Sequence, residues 1–242
     1  MAKLATLSFD NITGFFEMAK GEQMGEINDN RSTKGDWGLK WNSLMGGWDD
    51  MVKLCNQIAD VQGITVIMIG HIVGNYLNLG VDEKGNPQKK LIGWKVDVPG
   101  MGADTVLVPF DEVYNLVTQP TLTGSAPARK LITQPHLIED YPFDAKSRKG
   151  IGSQGAITSP TYEKIVKSLP AGRTMPVKFL FVGRPGAGKS TLANTFPTPI
   201  CHIDIQGGCD EFAKEKDRIV VKPTSVAELY KLLLKVRRTG EV

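Results

Sequence analysis

Gly183-Arg184-Pro185-Gly186-Ala187-Gly188-Lys189-Ser190 has the spacing GxxxxGK[ST], and that spacing carries a phosphate-binding chemistry. Glycines let successive backbone N–H groups converge on phosphate oxygens without a Cβ in the way. A helix opening at Lys189 would turn its positive end toward the same anion. The Lys189 ammonium has the reach for the β- and γ-phosphates, and the Ser190 hydroxyl is a ligand type for Mg²⁺. The motif is specific when a strand precedes it and a helix follows, and both flanks are present here. Lys178-Phe179-Leu180-Phe181-Val182 is apolar and strand-like, and Ser190-Thr191-Leu192-Ala193-Asn194 opens a helix. A chance glycine-rich turn would need neither flank. The cofactor-binding candidates are therefore Gly183, Arg184, Pro185, Gly186, Ala187, Gly188, Lys189, Ser190 and Thr191.

A second piece of such a site stands at the other end of the chain. Leu4-Ala5-Thr6-Leu7-Ser8-Phe9 reads as a buried strand, and Asp10 follows it. Mg²⁺ favours a nearby carboxylate while keeping several waters, so Asp10 and Ser190 form a candidate metal pair. Asp-Asn ahead of a helix is also ordinary capping chemistry, which is the competing role for Asp10. Two further strand ends attract notice. Val66-Ile67-Met68-Ile69-Gly70 runs into His71, and Cys201-His202-Ile203 runs into Asp204-Ile205-Gln206-Gly207-Gly208.

The elements that must hold these residues follow from periodicity. Residues 11–19 suit a helix with Phe15, Phe16 and Met18 toward a core, while the Gly-rich, polar stretch 20–43 suits a surface loop. Leu44, Trp48, Met51, Val52, Cys55, Ile58 and Ala59 keep helical spacing, which predicts an amphipathic helix over 44–62 ended by Gly63. Ile64–Ile69 is apolar and β-branched, as in a strand buried on both faces of a parallel sheet, with His71 just beyond its end. Residues 74–98 form an extended excursion turning at Asp82–Pro87, 100–109 a short helix, and 113–117 and 129–133 two more strands. A loop over 149–160, a short helix at 161–168 and a linker at 170–174 lead to a strand at 177–182. The helix 189–195, the strand 200–205 and the helix 225–238 complete the chain.

Taken together, these motifs resemble the RecA/RadA recombinase core. They look most like the small phage ATP-binding proteins of the minimal-RecA, single-strand-annealing type. Such proteins carry the phosphate loop first, then a strand ending Asp-x-Glu-Gly-Gly, a strand ending in Asp, and a strand ending in His. This chain matches with Gly183–Ser190, Asp204–Gly208, Leu7–Asp10 and Val66–His71, provided it is read from 175–242 and then from 1–169. The resemblance implies one α/β domain over 1–242: a RecA-like P-loop NTPase with a mostly parallel central sheet and helices on both faces, circularly permuted at the loop before the Asp10 strand, with 170–174 as the joining linker.

The same resemblance assigns roles. Lys189, Gln206 and His71 become the catalytic set, with His71 at the γ-phosphate sensor position, although it would equally suit a packed histidine. Gln206 stands where the family has a water-polarising Glu. An amide orients water but is a poor base, so hydrolysis is expected to be slow or helped by Asp204 or Asp210; Gln206 could also simply bond within its loop. Segments 20–43 and 72–98 correspond to the family's single-stranded-DNA loops. They place Trp37, Trp41, Tyr76 and Trp94 among Arg31, Lys34, Lys40, Lys84, Lys89, Lys90 and Lys95, a stacking-plus-cation pattern that core-covering aromatics with solvated lysines would also produce. Lys146 and Arg148 are candidate phosphate contacts, or a solvated basic turn.

The implied function is Mg²⁺-dependent ATP binding and hydrolysis coupled to single-stranded DNA in phage-type recombination or annealing. An ATP-binding module without turnover, a small-molecule kinase and a scaffold are the alternatives. The partners are ATP, single-stranded DNA and further copies in a homo-oligomer, and the cofactors are ATP and Mg²⁺. Bulk properties fit without deciding. A net charge of +3 does not declare a nucleic-acid partner, and 41% apolar residues suffice for a sizeable core. Cys55, Cys201 and Cys209 lack zinc spacing and suit a reducing compartment. No run approaches the ~20 apolar residues of a membrane span, and no leader is visible, so a cytoplasmic location is expected, that of the host for a phage-encoded chain.

Overall fold

The computed structural model describes residues 3–29, 37–82, 84–98, 106–119, 128–148, 155–168 and 177–242, with 23–29 and 37–43 described by their backbone. The first half of the chain holds β1 (Thr6–Asp10), α1 (Ile12–Asp29), α2 (Trp37–Gln62), β2 (Thr65–Val81), β3 (Pro87–Val96) and β4 (Glu112–Gln119). Short pieces follow: β5 (Ala128–Ile132), β6 (His136–Ile138), β7 (Tyr141–Phe143), β8 (Lys146–Ser147), β9 (Ala156–Thr158) and α3 (Tyr162–Lys167). The last part holds β10 (Lys178–Gly183), α4 (Lys189–Ala193), β11 (Ile200–Asp204), a 3₁₀ turn at Asp210–Lys214, β12 (Arg218–Val221) and α5 (Val226–Thr239).

The sheet runs β12-β11-β1-β2-β10-β4-β5-β9, with β3 paired to β2 and β8 to β4. From β12 to β4 every neighbour is parallel, and β5 and β9 close one side antiparallel. The central strands are buried at every residue of β1 and β11 and through Thr65–Gly70 of β2, which requires cover on both faces. Side-chain alternation divides that cover into two cores. Leu7, Phe9, Val66, Met68, Leu180 and Val182 pack with α1, α2 and α5. Ile67, Ile69, Tyr114, Phe179 and Phe181 face the other way, toward Ile165 of α3 and Leu192 and Ala193 of α4. The chain is thus an α/β protein with a large, mostly parallel mixed sheet and helices on both faces, an arrangement of the Rossmann and P-loop kind.

The spacing over 44–62 does give one buried face, from Leu44 to Ala59, and Gly63 ends the helix at φ +69° with its N–H on the Ala59 carbonyl. Three expectations need correction. The stretch 20–43 is not one loop: α1 continues to Asp29 and α2 begins at Trp37. Lys20, Glu22, Gln23, Met24 and Glu26 are helix formers, and they outweigh Gly21 and Gly25. The side chains of Arg31, Lys34, Trp37, Lys40 and Trp41, and the linker 170–174, lie outside the described residues, as does most of the expected helix over 100–109. Residues 149–160 are not all loop either, since β9 lies within them.

The third correction concerns β2, which does not stop before His71. It runs on to Val81 and pairs antiparallel with β3, so the expected excursion is a long hairpin. Register shifts between Asn75 and Tyr76 and between Asn78 and Gly80 mark the hairpin without ending the strand. The chain turns only at Asp82, whose Oδ1 accepts from Lys84 N at 2.9 Å and Asn86 N at 2.8 Å, with Gly85 at φ +82°.

The chain also closes on itself. Leu4 N donates to Gly240 O at 2.8 Å, and a side chain at Gly240, which is left-handed at φ +72°, would run into Lys3. Trp48 of α2 stacks on Phe16 at 5.3 Å and tilts against Phe15 at 6.0 Å, joining α1 to α2. Trp48→Ala should therefore cost about 3–5 kcal/mol of unfolding free energy, measurable as a lower urea midpoint. A loss below about 1 kcal/mol would mean that this aromatic contact does not hold α1 to α2.

Candidate functional site

Ligands of open parallel sheets gather where strand C-termini meet, and here the register brings three of them together beside the middle of β2. Asp10 pairs with Asp204 on one side and Ile69 on the other, and Gly183 pairs with His71. The ends of β1, β10 and β11, with β2 passing at His71, therefore surround one cleft of about 420 Å³, lined by Asp10, His71, Lys189, Ser190, Thr191 and Gln206. That volume falls within the range of small-molecule sites.

The loop from Gly183 to Ser190 owes its shape to its glycines. Gly186 and Gly188 are left-handed at φ +76° and +89°, and a Cβ at Gly183 would strike the Leu116 carbonyl oxygen of β4. The helix after the loop is shorter than expected, ending at Ala193. The Asn194, Thr195 and Phe196 amides then bond back to carbonyls three or four residues earlier. Lys189 is 95% buried, with 5% of its surface exposed. Its Nζ donates to the Gly183 carbonyl at 3.1 Å and the Arg184 carbonyl at 2.9 Å, so the ammonium is folded onto its own loop. Burial pushes its pKa down to about 8, and the nearby Asp10 carboxylate opposes that fall.

Asp10 is also buried. Its Oδ2 accepts from the Ser190 hydroxyl and, at 3.3 Å, from the Cys209 thiol. The capping role suggested for Asp10 belongs to its neighbour: Asn11 Oδ1 accepts from Gly14 N at 3.0 Å, at the start of α1. Asp10 and Ser190 thus offer two hard oxygens side by side. Among the described residues no cluster of three or more His, Cys, Asp or Glu forms a closed cage. Such a pair suits Mg²⁺, which takes few protein ligands and fills the rest of its shell with water and phosphate.

Gln206 lines the cleft, with both ends of its amide engaged. Oε1 accepts from Asn11 Nδ2 at 2.5 Å, and Nε2 donates to Glu17 Oε2 at 2.9 Å. Asp204 does not face the cleft. Its carboxylate accepts from the amides of Gly207, Gly208 and Cys209, folding the Gly-Gly turn. Asp210 pairs with Lys222 on the surface. Neither is placed to help Gln206, because each carboxylate is already occupied by a structural partner. His71 lies in the cleft, its pKa lowered by burial and then by Lys189, and its Nδ1 has no hydrogen-bond partner among the described residues. His202 is a core residue, pushed down to about 4 by burial and by Arg218, with Nε2 at 3.2 Å from Asn194 Oδ1.

Two of the basic and aromatic candidates turn out to be structural. Trp94 donates to the Ile138 carbonyl at 2.9 Å, and the Arg184 guanidinium lies over its ring at 5.0 Å. Lys146 donates to the Leu107 and Val108 carbonyls at 2.8 and 3.1 Å, capping that turn rather than facing the cleft. Tyr76, Lys84, Lys89 and Lys90 remain exposed on the β2–β3 hairpin. Three residues at the cleft escape sequence reasoning. Arg129 and Glu211 line it, and Cys209 bonds Asp10. Arg129 is an ordinary strand residue in sequence, and only the β4–β5 pairing brings it to the loop. Glu211, five positions after Gln206, stands in no motif.

Comparison with protein-family models, with curated proteins and with solved structures finds no match for this chain.

The Lys189 shift has a stability consequence with a definite sign. Its pKa is lower in the folded state, at about 8, than its ordinary value of 10.5. The folded state therefore bears the full cost of a buried charge below pH 8, and that cost is relieved as pH rises from about 8 to 10.5. Relative to Lys189→Met, which buries no charge, the wild type should gain stability across that window. Urea midpoints of both proteins at pH 7, 9 and 10 test this, and parallel pH profiles would show that Lys189 is not held as described.

Proposed function

We propose that this chain binds ATP with Mg²⁺ and couples its hydrolysis to single-stranded DNA, on a RecA-like core in circularly permuted order. The observation that carries this is the Ser190–Asp10 contact, which places the hydroxyl of a GxxxxGKS loop against a strand-end carboxylate 180 residues away in sequence. Backbone amides of the loop and Lys189 hold the phosphates, and Ser190 and Asp10 hold the metal. His71 faces the terminal phosphate from between the two strands. The permuted order is supported by the Leu4–Gly240 hydrogen bond, since joining 242 to 1 and opening the chain near 170–174 would leave every strand in place. Support for DNA is the projecting β2–β3 hairpin, where exposed Tyr76, 54% accessible, stands near Lys89 and Lys90. Of the aromatics expected to stack on bases, Tyr76 is the exposed one among the described side chains.

A specific observation also favours the module that binds ATP but turns it over slowly. The Gln206 amide is engaged at both ends by Asn11 and Glu17 and is not free to take a proton from water.

Phosphate release with and without a single-stranded oligonucleotide tests the main reading, alongside ATP titrations. Lys189→Ala should abolish ATP binding, and Asp10→Asn should weaken binding more with Mg²⁺ than without it. Unchanged affinity in both variants would remove the site. A rate that DNA does not alter would remove the coupling.

Gln206→Glu alone would set a second carboxylate against Glu17, and the two would repel. The informative variant therefore combines Gln206→Glu with Glu17→Gln, which keeps a hydrogen bond between the two positions. Its phosphate release should rise by about 10²-fold, the low end for a general base, with ATP affinity unchanged. Equal rates at equal affinity would mean that residue 206 does not touch the attacking water.

A further inference from the structure

Arg129 is held from three sides. Its backbone pairs with Thr118 of β4, and its carbonyl accepts from Ser159 N at 2.8 Å. Its side chain crosses to the phosphate loop, where a Cβ built on Gly188 would lie 2.5 Å from the guanidinium carbon. A left-handed glycine and an arginine head thus share one small space. A guanidinium carries five donors and no acceptor. Among the described residues, no carboxylate or carbonyl receives any of those of Arg129. A neighbouring Arg on the same loop contrasts with it: Arg184 is paired to Glu139 at 2.5 Å.

Arg129 also stands where two clefts join. The phosphate cleft holds Lys189, Ser190 and Asp10. Beyond Gly188 and Thr191 lies a second cleft of about 630 Å³, bordered by Ala128, Pro160, Thr161 and Thr195. Arg129 is the single ionisable side chain among the described residues lining that second cleft. A neutral, partly apolar cleft suits a base and ribose, and a cationic one suits terminal phosphates. Arg129, Gly186, Gly188 and Thr191 wall both clefts, so the junction corresponds to the phosphates nearest the nucleoside.

We propose that Arg129 is a phosphate ligand supplied by the chain itself, gripping the α- and β-phosphates at the junction of the two clefts. This rests on the nucleotide-binding reading above and adds to it a residue outside every motif. The contact is common to ATP and ADP. It needs a planar fork rather than a point charge, since one head must reach oxygens on two adjacent phosphates.

Calorimetric titration of the full chain with MgATP and MgADP tests it, with Lys189→Ala as control. Arg129→Ala should weaken both nucleotides by a similar factor, roughly tenfold to a hundredfold, the range for hydrogen bonds to a charged group. Arg129→Lys should recover only part of the loss. The nucleotide-free melting temperature should stay at the wild-type value, because no carboxylate or carbonyl among the described residues receives the Arg129 donors. Should Arg129→Ala melt lower, Arg129→Gln, which keeps most of the stem, replaces it in the comparison. Wild-type affinity in the Arg129 variants, with Lys189→Ala inactive, overturns the proposal while leaving the nucleotide reading intact. A loss for ATP alone also overturns it, by moving the contact to the terminal phosphate. If the wild type binds neither nucleotide, the underlying reading falls first.

Discussion

A carboxylate and a hydroxyl separated by 180 positions must reach one point, and parallel strand register is what brings them there. β1 carries Asp10 and β10 delivers the loop, but the two strands do not touch. β2 lies between them, paired to both, so its register fixes the separation of the two halves of the site. A slip of one residue in β1 would replace Asp10 at the cleft with a side chain meant for the opposite core. The two cores resist such a slip, because Leu7 and Phe9 are buried under the α1, α2 and α5 side while Thr6 and Ser8 are buried on the other. The chemistry at the strand ends therefore depends on apolar packing along the strand bodies.

Legibility in the sequence followed the range of the interactions. The strand–loop–helix form around Gly183–Ser190 is readable because its spacing lies in eight consecutive residues and its flanks are local. The 44–62 helix was readable because its apolar face repeats every turn. The loop expected over 20–43 differs from α1 up to Asp29 because Gly21 and Gly25 mask the helix formers around them in the sequence. The end of β2 was misplaced for a related reason. The strand leaves the buried sheet after Gly70 yet keeps its extended form, and burial changes there while backbone conformation does not. Trp94 and Lys146 looked available because their partners, Ile138, Leu107 and Val108, are carbonyls, which no sequence pattern advertises. Arg129 and Cys209 were invisible because each acts on a residue that only the folded sheet brings near.

The cleft is unusual in how it satisfies its cations. Lys189 bonds the carbonyls of Gly183 and Arg184, so without an anion its charge rests on dipoles of the loop it belongs to. Those bonds hold it in place but do not fully replace water, which is why its proton is held less tightly than that of a surface lysine. An entering phosphate would offer a full negative charge in a partly buried setting, where charge interactions are stronger than in water. The group whose burial costs free energy would then favour the bound state.

The loop is also joined to the hairpin, and the strength of that joint can be bounded. Arg184 reaches out of the loop to lie over Trp94 at the hairpin base, and it pairs with Glu139 in the β6–β7 turn. Both partners of the ion pair are more than half exposed, at 55% and 59%, so screening leaves it at most about 1 kcal/mol. A cation–π contact at such a site is worth about 0.5–1 kcal/mol. Trp94 is separately fixed by its bond to Ile138, so the base of the hairpin stays in place whatever Arg184 does. The two contacts therefore tie the loop to the hairpin base by roughly 1–2 kcal/mol in all, a factor of about 5–30 in an equilibrium, which is too little to lock one to the other.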